Sequence, residues 1–234
     1  MKIKKIIFLM LLLAIVLTVP GPTEMTLLAG NIKSPLTIVV DAGHGGPDGG
    51  AEAADGTHEA DLNLAIATAL KEEAKKRGIK VIMTRTTEEG LYSEENIEKK
   101  WSKLEDMKCR KTIIETTEAD IALSIHMNCF QTDTSVRGAQ VFYPKTGNAK
   151  ILAESEVLAE SVQTALVKGI ADGSNRKHMG RGEVYLMENP RMPTVLVECG
   201  FLSNSVDLER LKQKKEQQKI AMYILEGVLT YTEI

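Results

Sequence analysis

Short apolar runs alternate with amphipathic segments along this chain, and no other feature constrains the fold as strongly. Residues 36–40, 79–84 and 195–197 are rich in β-branched side chains, as is typical of buried strands. Two further runs, 120–125 and 139–143, have the same character. Strands that alternate with helices predict a three-layer α/β sandwich, in which helices cover both faces of a mixed, mostly parallel sheet.

The segments between these runs have the spacing of helices. Apolar residues of 59–77 recur at intervals of three and four, which places them on one face of a helix. Basic residues end this segment, where they suit the negative end of the helix dipole. Two further helices are predicted around residues 158–166 and 220–231.

The chain is long enough for one sizeable domain and is mildly acidic. It has 234 residues, with 29 Lys and Arg against 32 Asp and Glu, a formal charge of −3 and a pI near 5.9. A nucleic-acid-binding domain is expected to be basic, so nucleic acid is excluded as a partner. Aromatic residues make up only 4%, which also disfavours a carbohydrate-binding module built from stacked rings. We expect one catalytic domain over residues 31–234.

The first 30 residues have the pattern of an export signal. Lys2, Lys4 and Lys5 precede an apolar run of 14 residues, 6–19. At about 1.5 Å per residue this run reaches only ~21 Å, short of the ~30 Å hydrocarbon core of a membrane. We expect residues 1–30 to be a signal peptide or an N-terminal membrane anchor, and both interpretations stay open. The protein is then exported across the cytoplasmic membrane and contacts a membrane only through this segment.

Residues 86–111 form a highly charged insertion. Ile97, Trp101 and Leu104 nevertheless keep helical spacing. One interpretation is an amphipathic helix that covers the core. The other is a mobile flap or a partner-docking helix beside the active site, which the single tryptophan favours because tryptophan is enriched in interface hot spots.

Four polar residues stand where the predicted strands end or the first helix begins. His44 lies in the glycine-rich loop after the first strand, His126 at the tip of the third, and Glu198 at the tip of the last. Glu59 opens the helix that follows the glycine-rich loop. In open α/β sheets, functional residues lie at the carboxyl ends of the strands. We therefore expect these four side chains to lie close together at one edge of the sheet.

Two histidines and one carboxylate are typical of a catalytic zinc site, in which the fourth position is left to water. The second carboxylate would then be the general base. The two carboxylates also have plainer interpretations, since Glu59 could only stabilise the positive end of its helix and Glu198 could be a surface carboxylate. His58 could replace its neighbour Glu59 as a ligand, whereas His178 lies in a polar basic loop and is expected to be solvated.

Six motifs stand in order along the chain. They are D-A-G-H-G-G, E-A-D-L-N-L, T-R, A-D-I-A-L-S-I-H-M-N, R-G-A-Q-V-F-Y and P-T-V-L-V-E-C-G-F-L-S-N. From residue 36 to about 231 the chain resembles the zinc-dependent N-acetylmuramoyl-L-alanine amidases of the Amidase_3 family. The resemblance implies a six-stranded sheet, one zinc ion bound by His44, Glu59 and His126, and catalysis by Glu198. The substrate it implies is the amide between the lactyl group of N-acetylmuramic acid and L-alanine in peptidoglycan.

Within this family the chain is most similar to the spore-cortex amidases that act in germination. The single-domain layout, the export signal and the insertion over residues 91–107 carry this likeness. The likeness implies a role in the formation of muramic-δ-lactam. The exported enzyme is then secreted or membrane-anchored, with the space between the forespore membranes as one destination.

Further residues and partners are expected around this site. Asp41 and Asn128 are candidates to support the imidazoles, because metal-bound imidazoles commonly donate their second N–H to a carboxylate or carbonyl. Arg137 could contact the anionic substrate peptide or lie solvated in its loop. A protein activator could dock near residues 88–107. Two other functions stay open: a peptidoglycan-binding or regulatory protein with a vestigial site, and a different zinc peptidoglycan hydrolase such as a carboxypeptidase.

Overall fold

The computed structural model describes residues 35–91 and 102–233, and six strands in this part of the chain form one sheet. The strands are β1 (Thr37–Ala42), β2 (Lys80–Met83), β3 (Ile121–Asn128), β4 (Gln140–Pro144), β5 (Met179–Arg181) and β6 (Thr194–Phe201). The helices are α1 (Glu59–Lys76), α2 (Lys103–Thr116), α3 (Ala149–Ile170), α4 (Ser205–Lys212) and α5 (Lys214–Thr232), and a short 3₁₀ helix spans Tyr185–Met187.

The order of the strands across the sheet is β2-β1-β3-β6-β4-β5. The first four strands in this order are parallel to one another, β4 is antiparallel to β6, and β5 is parallel to β4. The sheet is therefore mixed and mostly parallel, and the predicted α/β fold with six strands is confirmed. Because β1, β3 and β6 are parallel neighbours, their carboxyl ends share one edge of the sheet.

The two faces of the sheet carry unequal layers. One face packs against α1, α3 and α5 and forms the large apolar core, which includes Ile66, Leu123 and Val162. The opposite face carries α2 and the 3₁₀ helix over two small apolar clusters, around Ala122 and Leu196. Successive strand residues point to opposite faces, so Ala122 and Leu123 belong to different layers.

A buried polar network occupies the sheet face that carries α2. Asp41, near the end of β1, accepts a hydrogen bond from Arg110 Nη1 at 2.9 Å, and both side chains are 1% exposed. The hydroxyls of Thr84 and Ser124 donate to the same carboxylate, each at 2.7 Å. Burial raises the pKa of Asp41, but the guanidinium and the two hydroxyls lower it more, so the net pKa is below its usual value.

The network also joins the residues on either side of segment 92–101. Arg110 Nε donates to Asp106 Oδ2 at 2.6 Å, and Leu91 N donates to Asp106 Oδ1 at 2.6 Å. Within the predicted insertion, Leu104 lies on α2 and is exposed. Ile97 and Trp101 lie outside the described residues, as do residues 1–30. None of the helices in the described part of the chain is long and apolar enough to span a membrane.

Several elements extend beyond the predicted bounds. The pairing of β3 with β6 continues past a register irregularity to Asn128 and Phe201. His126 and Glu198 therefore lie within their strands and not at the tips, because the ladder between the two strands continues beyond them. The strand β5 and the helix α4 were not predicted, since β5 has three residues and α4 has eight.

The substitution Asp41→Asn tests the contribution of the buried network to stability. Because the pKa of Asp41 in the folded protein is below 3.8, its carboxylate stabilises the fold above that pH and loses this effect as pH falls through the folded pKa. We expect the variant to lower the free energy of unfolding by about 3–5 kcal/mol at neutral pH, as when other buried pairs are broken. Urea unfolding at neutral and acid pH should show this difference shrinking in acid.

Asp133→Asn is the control for this experiment. Asp133 is exposed and bonds to Ser135 within its own turn, and exposed pairs contribute little to stability. A loss of stability by Asp41→Asn that is no larger than that of the control, or that does not shrink in acid, would contradict the prediction.

Candidate metal centre

Four polar side chains meet at the carboxyl edge of β1, β3 and β6. His44 lies in the loop after β1, Glu59 is the first residue of α1, and His126 lies near the end of β3. Glu198 in β6 is the direct register partner of His126. Equivalent positions on paired strands point to the same face, so the sheet itself sets these two side chains beside each other.

The carboxylate of Glu59 lies between the two imidazoles. Its Oε1 is 2.8 Å from His126 Nδ1, and its Oε2 is 3.3 Å from His44 Nε2. The centroids of the two rings are 5.0 Å apart. One ring nitrogen from each histidine and one carboxylate oxygen lie within 4.8 Å of one another, a separation compatible with one shared metal ion.

Main-chain and side-chain donors fix the orientation of Glu59. Ala51 N donates to Oε2 at 2.9 Å, and Met127 N donates to Oε1 at 3.1 Å. Asn63, one turn further along α1, donates from Nδ2 to Oε1 at 3.3 Å. Burial raises the pKa of Glu59, but the hydrogen bonds and charges of the two imidazoles outweigh it, and the net pKa is far below its usual value. The carboxylate is therefore ionised as well as oriented.

His44 is held through both its backbone and its ring. Its φ of +60° is a left-handed conformation, uncommon for a residue with a side chain. Its Nδ1 lies 2.9 Å from Asp48 Oδ2, which leaves Nε2 toward Glu59. Burial lowers the pKa of His44, whereas the hydrogen bonds and charges of Glu59 and Asp48 raise it more, and the net pKa is raised. A carboxylate on the second ring nitrogen is common for metal-binding histidines because it fixes the ring.

Two glycines allow the main chain to approach these side chains closely. A Cβ at Gly43 would collide with the ring of His126, and a Cβ at Gly50 would collide with Glu59 and His44. The glycine-rich loop after β1 is therefore required for the packing of the three side chains.

Glu198 is buried with one oxygen unpaired. Arg181 Nη1 lies 3.4 Å from Oε1, and Oε2 has no hydrogen-bond partner among the described residues. Burial raises the pKa of Glu198 and the charge of Glu59 raises it further, whereas the imidazoles and Arg181 lower it, with a net increase. A carboxyl group with a raised pKa and an unpaired oxygen is suited to accept and return a proton.

A cavity of about 350 Å³ lies over these groups. Its lining contains His44, Glu59, His126 and Glu198 together with the basic residues Lys103, Arg110 and Arg181. Two imidazoles and a carboxylate are donors that suit a divalent transition metal. The unpaired oxygen of Glu198 belongs to the same lining. The residues present therefore fit a metal ion with space for a substrate beside it.

Asp41 and Asn128, the predicted supports of the imidazoles, have other partners. Asp41 belongs to the buried network under α2, and the carboxylate that contacts a ring nitrogen of His44 is that of Asp48. Asn128 lines the cavity, and its Oδ1 accepts a hydrogen bond from Cys129 N at 2.8 Å.

Arg137 and two further histidines are not part of the group that could hold a metal ion. Arg137 is exposed and donates to Asp172 O at 2.9 Å, whereas the arginines that line the cavity are Arg110 and Arg181. His58, the alternative ligand, is exposed just before α1. His178 is partly exposed and lies beside the ring of Tyr143, with the ring centroids 5.9 Å apart.

Asp48, Asn63 and Arg181 are site residues that reasoning from the sequence missed. Asn63 follows Glu59 by four positions, so helical spacing was the signal that could have found it. Asp48 lies in a loop, where spacing does not predict contact. Arg181 belongs to a strand of three residues, which has no pattern to mark it.

Residues 38–230 match the family model Amidase_3, the N-acetylmuramoyl-L-alanine amidases. A germination-specific N-acetylmuramoyl-L-alanine amidase of Bacillus subtilis is 35% identical over 194 residues, which cover 83% of this chain and 78% of that protein.

Solved amidase structures share this fold. The CwlD amidase from Clostridioides difficile, solved in complex with the GerS lipoprotein, aligns with a TM-score of 0.77 and 39% identity over 85% of this chain and 98% of that chain. An N-acetylmuramoyl-L-alanine amidase from Clostridium difficile 630 aligns with a TM-score of 0.72 and 27% identity over 85% and 97%. The resemblance carried by the six motifs is thus confirmed, and the chain belongs to the Amidase_3 family of N-acetylmuramoyl-L-alanine amidases.

Proposed function

We propose that this enzyme is a zinc-dependent amidase that cleaves the amide between the lactyl group of N-acetylmuramic acid and L-alanine in peptidoglycan. The observation that carries the proposal is the convergence of His44, Glu59 and His126 beside the unpaired oxygen of Glu198. Family membership supplies the class of reaction. The donor set supports zinc, because two imidazoles and one carboxylate with an open fourth position are typical of catalytic zinc sites.

In this mechanism His44, Glu59 and His126 hold the metal. When bound, zinc supplies Lewis acidity and lowers the pKa of water to about 7. Glu198 takes a proton from the attacking water, whose oxygen forms a bond to the carbonyl carbon. Glu198 then returns this proton to the alanine nitrogen as the C–N bond breaks, because an amide anion is too poor a leaving group to depart unprotonated.

The surroundings of Glu198 suit both of these steps. Its burial and the nearby charge of Glu59 raise its pKa, so the protonated form that follows the first step is stabilised. Arg181, at 3.4 Å from Oε1, favours the ionised form that begins the cycle. The net effect is a raised pKa, which suits a group that must take up a proton and then give it back.

Mass spectrometry of peptidoglycan fragments tests the reaction against its alternatives. We expect the purified enzyme with zinc to release stem peptides that begin with a free L-alanine amino group. Release of terminal D-alanine, with the lactyl–alanine bond intact, would instead indicate a carboxypeptidase. A protein that binds zinc and peptidoglycan but releases nothing would indicate a regulatory or binding protein with a vestigial site.

The substitution Glu198→Gln separates proton transfer from metal binding. The amide keeps the size of the side chain but cannot take a proton from water. We expect kcat to fall by about 10²–10⁴-fold, the usual contribution of an acid–base group. The zinc content, measured by elemental analysis, should stay equal to that of the wild type.

Glu188→Gln, at an exposed carboxylate, is the control and should leave both values unchanged. Unchanged peptide release by Glu198→Gln would remove Glu198 from its proposed role. Loss of zinc from that variant would reassign Glu198 as a ligand.

We infer a role in the spore cortex from the likeness to the germination-specific amidase of Bacillus subtilis. In this role the enzyme removes stem peptides from muramic acid before muramic-δ-lactam forms. The export signal predicted over residues 1–30 supports a location outside the cytoplasmic membrane, either secreted or membrane-anchored.

We further propose a protein activator that docks near residues 88–107. The CwlD amidase was solved with a lipoprotein bound, and in this chain Lys103 of α2 brings that region to the lining of the cavity. A partner that binds only the conformation able to hold zinc shifts the protein toward that conformation. Its binding therefore raises the apparent affinity for zinc. We expect the isolated enzyme to bind zinc weakly and turn over slowly in zinc titration and rate measurements. Tight zinc binding and full activity without a partner would contradict a required activator.

A further inference from the structure

Two buried arginines hold the main chain of the loop that carries His44. Arg110 donates from Nη1 to Ala42 O at 2.6 Å and from Nη2 to His44 O at 2.5 Å. Arg85 donates from Nε to Ala42 O at 2.8 Å and from Nη2 to Gly43 O at 3.0 Å. Three successive carbonyls, from the last residue of β1 into the loop, therefore accept hydrogen bonds from guanidinium groups.

The two arginines differ in what else they contact. Arg85 also donates to Ala60 O at 2.8 Å and to Thr87 O at 2.9 Å, so it braces several segments at once. Arg110 reaches the carbonyl of His44 itself. Of the two arginines, Arg110 is therefore the one that bonds to the main chain of His44. The ring of His44 faces the carboxylate of Glu59.

Arg110 is itself fixed from two sides. Asp106 accepts from its Nε at 2.6 Å and from its Nη2 at 3.2 Å, and Asp41 accepts from its Nη1 at 2.9 Å. The guanidinium is a rigid planar fork, so two carboxylates set the directions of the N–H groups that remain. These N–H groups are the donors to the loop carbonyls.

The backbone of His44 requires support of this kind. Its φ is +60°, and the next two residues, Gly45 and Gly46, also have positive φ. A left-handed conformation is unfavourable for a residue with a side chain and persists only where the surroundings enforce it. Two flexible glycines directly after His44 provide little such restraint.

We propose that Arg110 is a positioning residue for the metal centre: by holding the carbonyls of Ala42 and His44, it fixes the imidazole of His44 in the orientation that binds the metal. The inference rests on the proposed zinc-dependent function and adds a determinant of zinc affinity that acts through the main chain. Ligands whose supporting contacts are fixed in advance bind a metal more tightly.

Arg110→Lys tests this role. Lysine keeps a buried positive charge for Asp41 and Asp106 but lacks the fork that reaches both carbonyls. Metal-free protein is titrated with zinc in competition with a chromophoric chelator, which measures affinity without any substrate. We expect the Kd for zinc to rise by about 10–100-fold, as when supporting contacts of metal ligands are removed elsewhere. Thermal unfolding of the metal-free variant checks that it is folded.

Arg210→Lys is the matched control. Arg210 on α4 forms comparable ion pairs, with Asp172 at 3.0 Å and with Asp207 at 2.6 Å. Its hydrogen bonds within the described residues do not reach the metal-ligand group. We expect this variant to keep the zinc Kd of the wild type even where its thermal stability falls.

A folded Arg110→Lys protein with the zinc Kd of the wild type would overturn the inference. An equal loss of affinity in Arg210→Lys would overturn it too, because affinity would then follow general stability. If Arg110→Lys does not fold, Asp106→Asn provides the test, since it frees Arg110 on one side and should also weaken zinc binding. Failure of both variants to fold would assign Arg110 to the fold and end the inference. Wild-type protein that binds no zinc would overturn the proposed function itself, an outcome distinct from failure of the inference alone.

Discussion

The carboxylate of Glu59 joins parts of the chain that are far apart in sequence, and the arrangement of the site depends on it. It lies 2.8 Å from a ring nitrogen in β3 and 3.3 Å from a ring nitrogen in the loop after β1. Main-chain N–H groups of Ala51 and Met127 fix its oxygens. A buried carboxylate without such partners would be costly, so Glu59 and the two histidines must be positioned together. The absence of side chains at Gly43 and Gly50 follows from this requirement, because a Cβ at either position would occupy space that the three residues need.

The sheet divides stability and chemistry between its faces. The face against α1, α3 and α5 is covered by a continuous apolar core. The other face has small apolar clusters, and around them lie the Asp41–Arg110 pair and the cavity. Because the first face supplies most of the apolar burial, the second face can hold charged groups. Hydrogen-bond partners fix the orientation of these charged side chains. The oxygen of Glu198 that has no partner within the described residues departs from this pattern, and the proposed role of Glu198 in proton transfer calls for such a group.

Much of this arrangement could be predicted because it follows from local patterns. His126 and Glu198 come directly after apolar runs and His44 lies in the loop after another, and parallel strands bring such positions to one edge. The supporting contacts could not be predicted in the same way. Arg110 lies 69 positions from Asp41, and only packing of α2 brings the two together. Acidic residues stand on both sides of His44, at positions 41 and 48, and the path of a loop, which spacing does not encode, decides which of them reaches the ring.

The hydrogen bond from Leu91 N to Asp106 Oδ1 has a consequence for how this region tolerates change. It joins the main chain at Leu91 to α2 through Asp106, whose other oxygen accepts a hydrogen bond from Arg110. Substitutions near Leu91 that weaken this bond would therefore act on the group that holds the carbonyl of His44.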